Sequence, residues 1–258
     1  MFTAQNYIKA RSLEEAYTLN QKRGNAILGG GCWLRLGQRS IQNLIDLSDL
    51  GLDQIKEGED SFSLGAMVTL RQLEQSAPLS DAFGTAFADM VRHIVGVQFR
   101  NCATLGGSVV SRFGFSDILT LLLALDCEVE LAGAGRIPLT DYTRMPYDRD
   151  VLAWIHVKKD GRRVAYESFR NSETDIPVLT CAMSEKDGVV TAVVGARPGR
   201  ACRVEASLSL NAGEEEWQAF LDRVSGMHFG SNMRASEAYR RHLASVLLRR
   251  AFLRLKGE

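Results

Sequence analysis

Along the first fifty or so residues, short apolar runs and one amphipathic stretch alternate with turn residues, so the opening reads as strand, helix, strand. Ser12 and Glu15 form a capping box ahead of Leu13, Ala16, Tyr17 and Leu19, and Gly24 is a natural stop. Ala26-Ile27-Leu28 is a short buried strand that runs directly into Gly29-Gly30-Gly31. Leu44-Ile45-Asp46-Leu47 reads as the next, parallel strand, turning near Ser48-Asp49.

From Ile55 onward the pattern changes. Ser61–Leu64 alternates as a strand, and Thr69 with Gln72 caps a short helix. Residues 81–95 show a helical apolar face through Phe83, Phe87, Met90, Val91 and Ile94. Gly96–Phe115 reads as a loop, followed by a strongly apolar helix from Asp117 to Leu125 and strands at Glu128–Leu131 and Asp150–Val157. The remainder alternates strands (Val164–Phe169, Val178–Met183, Val189–Ala196) with polar turns, then ends in two helices near 214–225 and 237–255. Strands followed by helices predict an α+β C-terminal unit distinct from the N-terminal α/β one. The expected domains are 1–158, with subdomains near 1–52 and 53–158, and 159–258, divided at Lys-Lys-Asp-Gly-Arg-Arg.

Composition narrows the function. A chain of 258 residues is long enough to bury a sizeable core. Lys plus Arg and Asp plus Glu are both 31, so there is no basic surplus of the kind a nucleic-acid binder uses to displace counterions. The longest apolar run, Ile118–Leu125, is interrupted by Thr120 and falls well short of the roughly 20 residues of a membrane span. The N-terminus lacks the basic and apolar regions of a signal peptide, so the expectation is a soluble cytoplasmic protein with no membrane partner. The five cysteines (Cys32, Cys102, Cys127, Cys181, Cys202) contain no C-x-x-C pair, and the four histidines are scattered. A metal site or disulfide framework is not expected in this chain. No catalytic residues stand out.

Of the 23 glycines, 15 lie in residues 1–135, which directs attention to close backbone approach in the first half. Ile27-Leu28-Gly29-Gly30-Gly31-Cys32-Trp33-Leu34 is a strand feeding several glycines, where main-chain N–H groups can converge on an anion such as a diphosphate. Leu34 stands where a Rossmann loop would need glycine, so that fingerprint is absent. The alternative is a tight turn closing a small sheet. The second loop, Arg100–Ser108, places the hydroxyls of Thr104 and Ser108 around Leu105 and the pair Gly106-Gly107, read as exposing backbone amides. Ser116-Asp117 follows, with Asp117 either an acceptor for ribose hydroxyls or a first-turn carboxylate facing the helix dipole.

Those residues carry a resemblance. The chain is similar to the FAD-binding (medium) subunit of molybdenum-containing hydroxylases of the xanthine dehydrogenase and carbon monoxide dehydrogenase type. Ala26–Leu34 looks like that family's first flavin loop. Leu64-Gly65-Ala66-Met67-Val68-Thr69-Leu70 resembles its next characteristic stretch, and Gly96–Ser108 its second flavin loop at nearly every position. Asp117 has the family's spacing, and Arg234–Arg241 resembles the start of its last helix. The similarity runs from end to end.

The resemblance implies an α+β fold: two α/β subdomains forming a PCMH-type FAD-binding domain, then a C-terminal domain of a small antiparallel sheet with helices. It implies that Leu28–Leu34, with Ile27 beside them, and Thr104–Ser108 cradle the FAD diphosphate. Asp117 would bind ribose, Leu152 would give an apolar contact and Ile94 would pack near the ring. It further implies an iron–sulfur subunit and a molybdopterin-binding large subunit as partners, with electrons passing through FAD to NAD⁺ or another acceptor.

Three departures stand out: Cys32 where Thr or Ser is usual, Ser108 where Asn is common, and Glu167 near a position often held by Lys. The alternatives are an FAD-free scaffold or assembly protein of the same fold and a free-standing flavin reductase of a related fold. Trp33, Trp154 and Trp217 read as packing residues, and His93, His156, His228 and His242 as core or surface histidines. Arg241, His242, Ser245, Arg249 and Lys256 share a helix face, either solvated or used for docking.

Overall fold

The computed structural model describes residues 1–257, and the chain divides into two compact units. The first comprises Met1–Gln72, Val97–Ser111 and Cys127–Lys158; the second takes Leu73–Gly96, Arg112–Asp126 and everything from Lys159 onward. The fold is α+β, as the resemblance implies.

The first unit opens with strand β1 (Thr3–Lys9), helix α1 (Leu13–Asn20) and strands β2 (Ala26–Leu28) and β3 (Ser40–Asp46). These strands form a parallel sheet in the order β1-β3-β2. The Ser12 side chain accepts from the Glu15 N–H (3.1 Å), and the Glu15 carboxylate reaches back to the Arg11 N–H (2.7 Å), so α1 starts where its cap signal lies. Ala16, Ile45, Leu47 and Ala10 make the core beneath the helix. Five further strands follow: β4 (Ile55–Glu57), β5 (Ser61–Gly65), β6 (Cys127–Leu131), β7 (Gly135–Pro138) and β8 (Leu152–Lys158). They form an antiparallel sheet in the order β4-β5-β8-β6-β7. Phe62, Leu64, Val129, Ile155 and Val157 are fully buried at alternate positions, the signature of a sheet with one covered face. The Arg149 guanidinium donates to the carbonyls of Asn20, Lys22 (2.9 Å) and Asn25 (2.9 Å), tying the end of α1 to the segment that enters β8.

Helix α2 (Leu70–Gln75) carries the chain toward the second unit, which contains α3 (Ala77–Phe83) and α4 (Ala86–Arg92). The single helix expected over 81–95 is broken because Gly84 takes φ +59°, a conformation glycine adopts without strain. The expected loop at 96–115 instead holds α5 (Val97–Cys102) and α6 (Leu105–Val110) in the first unit. Glycine-rich composition masks these two short helices. The apolar helix α7 (Asp117–Leu122) belongs to the second unit, and α8 (Leu139–Tyr142) to the first.

Strands β9 (Arg163–Phe169), β10 (Leu179–Lys186), β11 (Val189–Gly195) and β12 (Cys202–Ser207) form an antiparallel sheet in the order β12-β11-β10-β9, followed by α9 (Glu214–Ser225) and α10 (Glu237–Lys256). Leu179 through Ser184 are all buried, because β10 is covered on both faces, by α10 and by α7. The hydroxyls of Thr120 and Thr180 meet at 2.8 Å, in space that a side chain on Gly195 would fill. Arg240, 1% exposed, donates to the carbonyls of Val178 (3.0 Å), Gly230 (2.7 Å) and Ala235 (2.8 Å) and to Asn232 Oδ1 (2.6 Å).

The basic face of α10 is turned partly inward. Arg241 donates to the Ser225 carbonyl and lies 5.2 Å over the Phe229 ring, while Arg249 pairs with Glu214 (3.3 Å) and lies 5.2 Å over Trp217. Two of the cations read as a solvated or docking face therefore anchor this unit's own α9 and the turn after it. Trp217 packs as expected, against Phe220 and Phe252, while Trp33 is 51% exposed.

Candidate functional site

Beyond β2 the chain turns at Gly29, Gly30 and Gly31, with φ of +76° at Gly30 and +71° at Gly31. The Arg35 N–H closes the turn on the Gly31 carbonyl (3.0 Å). Among the described residues, the main-chain N–H groups of Gly29, Gly30, Gly31 and Cys32 donate to no protein acceptor. Four successive amides left bare on a turn make a concavity suited to an anion. Leu34 packs with Ala26, Ile41 and Leu44, so the loop's far end is held by the sheet, while Ile27 and Leu28 are half-buried below it.

The second loop is built differently. Thr104 caps α6 through its Oγ1, which accepts from the Gly107 N–H (3.2 Å), and the Ser108 N–H returns to the Thr104 carbonyl (3.1 Å). The Leu105 and Gly106 N–H groups donate to the carbonyls of Val68 and Ala66, both at 2.8 Å. The Ser108 hydroxyl donates to the Thr104 carbonyl (2.9 Å). The expected exposure of amides at Gly106-Gly107 is therefore corrected: cap, helix and neighbouring turn satisfy every amide from Leu105 to Ser108.

These glycines serve contact instead. A Cβ on Gly106 would lie 2.7 Å from both Cβ and the carbonyl oxygen of Ala66, and one on Gly107 3.0 Å from the Gly29 carbonyl oxygen. Gly29 in turn faces Thr104 Oγ1, and a side chain on Gly30 would overlap the Cys102 carbonyl. The two loops are thus one backbone-on-backbone assembly within the first unit. The first offers bare amides and the second forms its floor. Leu152, in β8 of the same unit, is 4% exposed. Cys32 Sγ lies 3.8 Å from the Gly30 carbonyl oxygen, and burial, followed by the neighbouring Cys102, pushes its thiol above the usual range.

Asp117 belongs to the second unit. Ser116 Oγ caps α7 by accepting from the Leu119 N–H (3.1 Å), the N-cap expected of it, and Asp117 occupies the first turn. Its Oδ1 accepts from the Tyr166 hydroxyl and from Arg170 Nη2 (2.6 Å). Burial pushes the Asp117 carboxyl up, while the Arg170 cation and the Tyr166 hydroxyl act in the opposite direction. Tyr166, Ser168 and Arg170 were not singled out in the sequence. The available signal was the period of two from Tyr166 to Ser168 along β9, which continues to Arg170 just past the end of the strand. The Glu167 carboxylate pairs with Arg254 (2.9 Å), whose other nitrogen pairs with Asp89, so it is not a lone anion. Among the described residues no group of three or more His, Cys, Asp or Glu is arranged to hold a metal, and no helix is long and apolar enough to cross a membrane.

Comparison with known proteins names the cofactor. Residues 2–157 match the family described as the FAD binding domain in molybdopterin dehydrogenase. The chain belongs to that family. Its cofactor is FAD, and the bare amides at Gly29–Cys32 fit the diphosphate of such a dinucleotide.

Similarity extends beyond the matched domain. Protein YgfM of Escherichia coli K12 is 30% identical over 255 residues, covering 95% of this chain and 93% of that protein. The nicotine 6-hydroxylase medium subunit of Paenarthrobacter nicotinovorans is 28% identical, over 97% of this chain and 96% of its own length. Among solved structures, reconstituted CO dehydrogenase from Oligotropha carboxidovorans superposes with a TM-score of 0.87 at 22% identity, covering 99% of this chain and 98% of that one. This last likeness speaks for the fold.

Proposed function

We propose that this FAD-binding domain protein is the flavin-carrying electron-transfer subunit of a molybdenum hydroxylase complex. Its partners would be an iron–sulfur subunit and a molybdopterin-binding large subunit. The observation that carries the reading is the four bare amides at Gly29–Cys32, in a chain that aligns over 97% of its length with a protein named as a medium subunit. FAD, when bound, would supply the two-electron chemistry, with NAD⁺ or another acceptor as the oxidant.

The chain's own work is binding and orientation. Main-chain N–H groups of Gly29, Gly30, Gly31 and Cys32 hold the diphosphate, over a floor made by Thr104, Leu105, Gly106, Gly107 and Ser108. Ile27, Leu28, Trp33 and Leu34 carry that loop on the parallel sheet. Leu152 supplies apolar packing, and Asp117, oriented by Tyr166 and Arg170, accepts from ribose hydroxyls. In this reading residues 1–158 are the FAD-binding domain, a division supported by the family match over 2–157. No side chain of this protein is required to move a proton.

The test is a flavin titration of the purified chain, followed by co-expression with candidate iron–sulfur and molybdopterin subunits. The expected result is flavin absorbance at one FAD per chain and a stable complex whose flavin bleaches when the complex is given its reductant. A colourless protein that gains no absorbance on incubation with FAD overturns the proposal.

A further inference from the structure

Away from the glycine loops, one face of the five-stranded sheet in the first unit carries a chain of polar contacts. Lys56 on β4, Ser63 on β5 and His156 on β8 are cross-strand neighbours: Lys56 pairs with Ser63, and Ser63 with His156. Ser63 Oγ lies 3.0 Å from His156 Nδ1, and His156 Nε2 lies 2.8 Å from Glu130 Oε2 on β6. Arg136 Nε on β7 donates to the same Glu130 oxygen at 3.3 Å. A carboxylate only accepts, so Nε2 carries the imidazole proton, and Nδ1 of the neutral ring accepts from the Ser63 hydroxyl. His156 is buried, whereas Ser63 and Glu130 are half-buried and Lys56 is exposed. The base is sheltered while the hydroxyl stays within reach of solvent.

We infer that Ser63, His156 and Glu130 form an acyl-transfer site in which Ser63 is the nucleophile, taking acyl groups from activated donors such as aryl esters and thioesters. The inference is independent of the flavin reading, since none of the three residues belongs to the diphosphate cradle.

The order of contacts is that of a nucleophile, a base and the group that orients the base. Ser63 Oγ attacks the acyl carbonyl carbon as its proton passes to His156 Nδ1, and the Glu130 carboxylate on Nε2–H stabilises the imidazolium. The bond from the acyl carbon to the aryl oxygen or thiol sulfur breaks, and the leaving group takes the proton from Nδ1. The products are an ester on Ser63 and a free phenol or thiol, with no change of oxidation state. The donor has to be activated because of where Ser63 sits. Strand β5 lies between β4 and β8, so the main-chain N–H groups beside Ser63 are committed to the sheet rather than to an oxyanion. The nearby cation is Lys56, opposite Ser63, whose ammonium lies 4.4 Å from the ring centroid of Trp154, two residues before His156. One exposed charge in place of a pair of fixed donors suits good leaving groups and leaves the Ser63 ester slow to hydrolyse.

The test exposes the full chain, as wild type and as the variants Ser63→Ala, His156→Gln and Glu130→Gln, to p-nitrophenyl acetate. Nitrophenol release, intact mass and the acetylated peptides are followed together. The expected wild-type product carries an acetyl group on Ser63, formed in a burst and lost slowly. Ser61, two residues away on the same strand, is an internal reference, and Ser63 is expected to react at least about 100-fold faster. His156→Gln is expected to remove that advantage. Glu130 is a positioning residue, so Glu130→Gln is expected to slow Ser63 at least about tenfold while lysines of the same molecules are acetylated as before, a split that lost folding would not produce.

Acetyl groups confined to lysines, cysteines and the N-terminus of the wild type overturn the inference. So does a Ser63 that reacts no faster than Ser61, or as fast in His156→Gln as in wild type. The comparison of Ser63 with Ser61 is made within one wild-type molecule and holds even where a variant does not fold. FAD titration of Ser63→Ala is expected to match wild type, and a wild type that acetylates Ser63 but binds no FAD supports this site while counting against the cradle alone.

Discussion

The contact between the two glycine loops is best tested by comparing Gly30→Ala with Gly31→Ala. Both residues hold a left-handed backbone, at φ +76° and +71°, so both substitutions carry the same conformational cost of about 1–2 kcal/mol. Both also stiffen the unfolded chain equally, and that contribution cancels. They differ in what the new methyl group meets. At Gly31 the nearest atom is the mobile Leu28 Cδ1 at 3.3 Å, which can yield. At Gly30 it is the Cys102 main-chain carbonyl, which cannot move without disturbing the start of the second loop. Overpacking against a fixed group costs about 1–3 kcal/mol more. Gly30→Ala should therefore be destabilised by about 2–5 kcal/mol and Gly31→Ala by about 1–2. Urea unfolding of the flavin-free proteins measures the difference, with fluorescence from Trp33 and Trp154 reporting the first unit and Trp217 the second. Equal destabilisation of the two variants, within about 0.5 kcal/mol, would refute the backbone-on-backbone assembly.

Other expectations concern the second unit. Asp117→Ala takes the only buried carboxylate from the Arg170 guanidinium, whose side chain is 5% exposed and which keeps just the neutral oxygens of Ser168 and Asp175, and should cost about 3–5 kcal/mol in urea unfolding; a loss below about 1 would show that the pair is solvated. Arg240→Ala removes the guanidinium donor to the Val178 and Gly230 carbonyls and one of two donors to the Ala235 carbonyl and Asn232 Oδ1, and should cost more than about 3 kcal/mol, against little change for the exposed Arg250→Ala. Burial pushes the Asp160 carboxyl up, but the Arg162 guanidinium on both its oxygens and Lys186 at 3.5 Å more than reverse this, so it titrates below the usual carboxylate range. Its contribution is thus complete above about pH 4 and is lost as pH falls through the lowered folded value. Asp160→Asn should then be less stable than wild type at pH 7, and the gap should narrow toward pH 2; a constant gap would contradict the ion pair.

What the residue order determined on its own was local. The capping pair Ser12 and Glu15, the N-cap Ser116 and the alternation of Phe62 with Leu64 act over a few residues, so their periods and caps are visible without the fold. The Gly29-Gly30-Gly31 run announced a turn that side chains do not obstruct, and its four bare amides are there.

The second glycine pair was misread for a physical reason. Whether an N–H is free depends on what lies opposite it, and the acceptors at Ala66 and Val68 are some forty residues away along the chain. Only tertiary structure could show that Gly106 and Gly107 lack side chains because Ala66 and Gly29 press against them. The same holds for Asp117, whose partners Tyr166 and Arg170 arrive on a strand about fifty residues later, and for the cations of α10 that fold back onto α9. Propensity and capping are short-range and survive in one dimension; the satisfaction of a buried polar group and the close approach of two backbones are pair properties, decided only when distant segments meet.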